Sequence, residues 1–164
     1  PTKNLALQFS QGFIKSPEAL EPNVNITRTT ASLVHLAMLD SKQFIASSVV
    51  WGQNHTSEGK NLNSVLLESN IKLSPLTIYT RYEFIQKDAH ELFLLQFAGN
   101  PTFNINALTL GLNKILLTQF QTDLSLGIQG TINFPDNELK SIYGKNPLAG
   151  EIYLRFSPTI HHSH

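Results

Sequence analysis

The chain has 164 residues, enough for one domain with a core that needs no staples. Twelve basic and twelve acidic side chains cancel, so no overall field draws nucleic acid or acidic substrates to it. Cysteine is absent, which excludes disulfide scaffolds, thiolate metal sites and cysteine nucleophiles. Charged residues make up only 15 %, well below the roughly 25 % usual for soluble domains. The polar character resides instead in Asn, Gln, Ser and Thr.

Apolar residues recur with a period of two, the spacing that sends successive side chains to opposite faces of a strand. Eight segments carry it. The first, about 4–15, places Leu5, Leu7, Phe9 and Phe13 on one face. The second and third, about 25–39 and 43–53, are less regular. In the fourth, Val65, Leu67, Ile71 and Leu73 alternate with Ser64, Glu68, Asn70 and Lys72. In the fifth, Leu76, Ile78, Tyr82 and Phe84 alternate with Thr77, Tyr79, Arg81 and Glu83. The sixth, about 103–117, aligns Leu108, Leu110, Leu112 and Leu116. The seventh sets Leu124, Leu126, Ile128, Ile132 and Phe134 against Asp123, Ser125, Gln129, Thr131 and Asn133. The eighth sets Ile152, Leu154 and Phe156 against Glu151, Tyr153 and Arg155.

Short connections at Asp40 to Lys42, Ser74-Pro75 and Thr118 to Thr122 alternate with longer ones at 16–24, 54–61, 88–102 and 135–148. This order predicts an all-β, antiparallel, up-and-down barrel of eight strands, with all long loops at one end. Residues 1–164 form a single barrel domain, or part of a larger barrel, and 157–164 are expected as a flexible tail. The one stretch with helical character is Ala89 to Phe97.

Alternation does not say which face is buried. A lipocalin-like soluble barrel turns its apolar face inward, and a membrane barrel turns it to lipid. The segment lengths of ten or more residues suit a tilted bilayer crossing, whereas ordinary strands average five or six. Lipid is therefore expected against Leu67, Ile71, Ile78, Tyr82, Phe84, Leu126, Ile128, Ile132, Leu154 and Phe156. A charge network of Glu68, Arg81, Glu83, Lys72, Asp123, Glu151 and Arg155 is expected inside. If Ser74-Pro75 is a two-residue turn, paired residues sum to 149 and Glu68 faces Arg81. That pair is expected to be bidentate, with Glu83 in reach. No apolar run approaches the roughly 18 residues of a spanning helix, and Pro1-Thr-Lys-Asn4 has no apolar signal region; an exported chain would begin beyond its processing site or be a fragment.

The last strand, Gly150-Glu-Ile-Tyr-Leu-Arg-Phe156, resembles the terminal signal read by the outer-membrane assembly machinery, although eight residues follow it here. Further stretches are Gly12-Phe-Ile-Lys-Ser-Pro-Glu-Ala-Leu-Glu-Pro22, Trp51-Gly-Gln-Asn54, Asn63-Ser-Val-Leu-Leu-Glu68, Arg81-Tyr-Glu-Phe-Ile-Gln-Lys87, Leu108-Thr-Leu-Gly111 and Tyr143-Gly-Lys-Asn-Pro147. In this order they resemble a poorly characterised family of Gram-negative outer-membrane, porin-like proteins. The resemblance covers most of the chain and matches a C-terminal portion of longer members. It implies a location in the bacterial outer membrane, and as partners membrane lipid and, during insertion, the barrel-assembly machinery. It implies no established reaction or ligand.

Candidate chemistry is sparse. His35, His55 and His90 lack a spacing that unites them, and His161, His162 and His164 form a tail, so no metal site is assigned. No cofactor is expected. Nothing resembles a nucleophile elbow, so an outer-membrane hydrolase ranks third, behind a structural or porin-like barrel and a lipocalin-like carrier of small ligands. Gly52, Gly111, Gly127 and Gly130 fall within strands, where glycine relieves crowding or marks bends.

Overall fold

The computed structural model describes residues 3–17, 23–41 and 43–158. Eight strands form one antiparallel sheet in sequence order: β1 (Leu5–Ile14), β2 (Ile26–Met38), β3 (Gln43–Thr56), β4 (Asn61–Leu73), β5 (Leu76–Asp88), β6 (Thr102–Gln119), β7 (Thr122–Pro135) and β8 (Leu148–Pro158). A short 3-10 turn, Asn137–Leu139, runs into the one-turn helix α1, Lys140–Tyr143. The β8 strand continues through Ser157 and Pro158 of the expected tail, whose residues 159–164 lie outside the described residues.

The sheet is up-and-down as expected, but it is not closed. Each strand pairs with its sequence neighbours, and β1 and β8 remain as edges. An eight-stranded barrel closed within this chain is therefore corrected to an open, curved sheet. Two further expectations change. Ladder pairing continues to His55 opposite Asn61, so the third connection is a tight turn at 57–60, closed by Gly59 N donating to Thr56 O at 2.9 Å. Gly59 takes φ +89° there, a conformation that favours glycine. The stretch Ala89 to Phe97 forms successive turns without a helix, and the helical residues lie in the following long loop.

Ser74-Pro75, a cis peptide, turns β4 into β5 with Leu73 opposite Leu76. The register then sets Lys72 against Thr77, Asn70 against Tyr79 and Glu68 against Arg81. A bulge between Ile115 and Leu117 leaves Leu116 without a ladder partner, removing it from the row of Leu108, Leu110 and Leu112.

One face of the sheet is apolar and open. Leu7, Ile152 and Phe156 are each more than 70 % exposed, in a patch that extends across all eight strands. The other face is concave, since side chains from β3 and β8 border one cavity. The buried hydrophobic cluster lies at the long-loop end of this concave face. There Ala89, Leu94, Phe103 and Leu139 pack together, with Leu92, Phe97 and Ile105 against them. Phe97 meets Phe103 edge to face at 5.2 Å, a favoured aromatic geometry. The concave face is thus polar through most of its length and apolar where loops cover it.

Candidate functional site

The expected charge network resolves into separate groups on the concave face. At mid-sheet, Arg81 Nη2 donates to Glu83 Oε1 at 2.8 Å, and Arg81 Nε lies 3.6 Å from Glu68 Oε1. The guanidinium is shared, so the expected bidentate pairing with Glu68 does not form. Glu83 projects from the same face of the same strand two residues on, and it takes the shorter contact. All three side chains are more than a third exposed, so water screens them. Replacing Arg81 by Ala should accordingly lower stability by less than about 1 kcal/mol, and the loss should shrink as salt rises. Urea titration at low and high ionic strength measures it; a loss independent of salt would show the pair to be desolvated.

One row toward the short-turn end, Tyr79 donates from Oη to Gln129 Oε1 at 2.8 Å and lies 3.1 Å from Tyr153 Oη. Gln129 Nε2 donates to Glu151 Oε2 at 2.8 Å. These contacts join β5, β7 and β8 over the intervening β6. They are possible because Tyr79 lies directly opposite Gly111, and Tyr153 opposite Gly127. A Cβ on Gly111 would stand 2.0 Å from Tyr79 Cζ, and one on Gly127 2.2 Å from Tyr153 Cζ. Both glycines make room for a ring, which is the crowding expected at such positions. The tyrosine pair itself was not among the expected site residues. An aromatic directly across from an in-strand glycine is the signal that marks it, and it becomes readable only with the register.

Nearer the short turns, Lys72 stands 5.8 Å from the centre of the Phe44 ring, a cation–π distance. Asp123 Oδ1 accepts from Thr118 Oγ1 at 2.7 Å. Arg155 and Lys72 border the same cavity as Asp123. At the long-loop end, Asp88, only 3 % exposed, accepts from Lys60 Nζ at 3.3 Å, Asn100 Nδ2 at 3.2 Å and Glu91 N at 3.0 Å. These bonds hold the 89–101 loop over the concave face. Lys87 and Glu91 pair at 3.2 Å across its base.

The opposite face also has an ordered layout. Leu67, Ile71, Ile78, Tyr82, Phe84, Leu126, Ile128, Ile132, Leu154 and Phe156 all fall on it by register. Successive ladder partners Phe9, Ala31, Trp51, Val65, Phe84, Asn106 and Phe134 form one row. An aromatic ring therefore stands on every odd strand. The next row toward the long loops is Gln11, Thr29, Gln53, Asn63, Gln86, Asn104 and Asp136. Its side chains bond laterally: Gln11 Nε2 to Thr29 Oγ1 at 3.2 Å, Gln53 Nε2 to Asn63 Oδ1 at 3.0 Å, Asn63 Nδ2 to Gln86 Oε1 at 3.2 Å, Gln86 Nε2 to Asn104 Oδ1 at 3.1 Å and Asn104 Nδ2 to Asp136 Oδ2 at 3.4 Å. Apolar surface thus gives way to aromatic rings and then an amide ladder, with Phe13 exposed one row beyond it on β1. At the other end Lys114, between Leu76 and Leu126, interrupts the apolar face.

His35 lies on the apolar face opposite Ser47, His55 bonds Asn61 Oδ1 at 2.9 Å, and His90 is in the 89–101 loop. No group of three His, Asp or Glu side chains suited to a metal occurs among the described residues. His161, His162 and His164 lie outside them. No family model, curated protein or solved structure matches the chain.

Proposed function

We propose that this sheet is a wall segment of a bacterial outer-membrane β-barrel, with its apolar face to lipid and its concave face to a polar lumen. The observation that carries the reading is the boundary on the apolar face. A contiguous exposed apolar surface of this extent is rare on soluble monomers. Here, except for Phe13 of β1 one row further out, it gives way to a row of aromatic rings followed by hydrogen-bonded amides, the order of groups favoured at a membrane–water interface. Strands of 10 to 18 residues suffice to cross a bilayer at a tilt.

Because β1 and β8 do not pair, the open sheet favours a larger barrel over an eight-stranded plug. Eight strands leave a lumen filled by side chains, and about sixteen leave an aqueous passage. The role that follows is porin-like passage of small solutes. A lipocalin-like carrier would need an apolar cavity. The concave face instead presents Glu68, Arg81, Tyr79, Gln129 and Glu151.

Purified protein should require detergent and run faster on a denaturing gel before heating than after. A monodisperse protein in plain buffer, with one mobility on the gel, would overturn the membrane reading.

A further inference from the structure

At the short-turn end of the concave face is a cavity of about 330 Å³. Lys72 reaches its border from β4 and Arg155 from β8. Unlike Arg81, which is held between two glutamates, neither cation forms an ion pair among the described residues. In the row of Lys72, Thr77 stands opposite it, and Asn113 stands opposite Thr77. The buried Asn113 Nδ2 has no hydrogen-bond acceptor among the described residues, although a buried amide donor is normally satisfied. Ser125 lies directly across from Arg155 and is itself buried. One carboxylate, Asp123, is at the border, with Oδ1 engaged by Thr118.

The basin therefore sets an ammonium and a guanidinium against one carboxylate. From this imbalance we infer that the basin binds a small oxyanion of the inorganic phosphate class. Arg155 supplies a planar fork and Lys72 a point charge. The inference rests on the concave face being the water-facing side of the sheet. It is separable from the lipid contact proposed for the other face.

The test is titration of detergent-solubilised protein with inorganic phosphate at constant ionic strength, followed by phosphorus NMR line width and calorimetry. Lys72→Gln and Arg155→Gln should each weaken binding by about tenfold or more, the loss of one charge-assisted contact. Lys72→Arg should retain binding. Lys114→Gln, a charge-matched change on the apolar face, should leave it unaltered. Asn113→Asp keeps the side chain's size while adding a carboxylate at the cavity border, and should abolish binding even if a cation variant fails to fold. Absence of phosphate binding to the unmodified chain, or equal affinity in all variants, would overturn the site. Heat-modifiable migration of the same samples reports the barrel reading by itself. Its presence without phosphate binding sinks the site alone. Its absence with Lys72-dependent binding sinks the membrane reading alone.

Discussion

Arginine at Leu67 or Ile128 should lower stability in lipid vesicles by about 2–4 kcal/mol, the cost of a cation near the bilayer midplane. Both positions lie within the apolar face, between the aromatic row and the short turns. Leu154 is the partner of Leu126, one row nearer those turns and beside Lys114. Arginine there can snorkel toward the interface, so its cost should fall below that of the other two. Urea titration of folded protein in vesicles measures the series. Three variants all within about 0.5 kcal/mol of the parent, the range usual for neutral surface changes, would contradict an outward apolar face.

Gly111→Ala should cost about 1–3 kcal/mol, an overpacking penalty on the concave face. The added methyl would enter the space of the Tyr79 ring at 2.0 Å from Cζ. Displacing that ring breaks its bonds to Gln129 and Tyr153. In the Tyr79→Ala background most of this cost should vanish, since the three atoms nearest the added methyl all belong to Tyr79. Gly130 is a matched control. It is also within β7, on the apolar face, with nothing within 4 Å of an added Cβ, so Gly130→Ala should cost nothing. Equal effects of the two substitutions on thermal unfolding in detergent would refute the packing of Tyr79 on Gly111.

Strand number, order and the Ser74-Pro75 register were legible because period-two alternation and a two-residue turn are local signals. Closure was not legible. It depends on whether β1 and β8 meet, and alternation within a strand carries no information about its edges. The third connection looked longer because Asn54, His55 and Asn61 read as loop composition. They lie in paired strands, where Gln53, His55, Asn61 and Asn63 bond one another across β3 and β4.

The charges at the site were legible by face, and Glu68 and Glu83 as partners of Arg81 by register, but which of the two takes the shorter contact was not. Glu83 captured Arg81 through side-chain reach, which residue pairing does not specify. The loop-end core was hidden for another reason. Ile26, Leu62, Phe103 and Ile105 stand on the polar face and break its alternation, and only the loops packed on them explain their character. The amide ladder was hidden too. Gln53 two residues beyond Trp51, and Gln86 two beyond Phe84, look like isolated polar residues until the register aligns them.

The orientation of the apolar face is most directly tested by the one tryptophan in the chain, Trp51. It stands in the aromatic row, one row from the amide ladder. In vesicles of lipids brominated at defined acyl positions, Trp51 fluorescence should be quenched, most strongly by bromine placed high on the chain near the interface. Fluorescence untouched by every brominated lipid, but quenched by aqueous iodide, would place Trp51 in water and contradict the account.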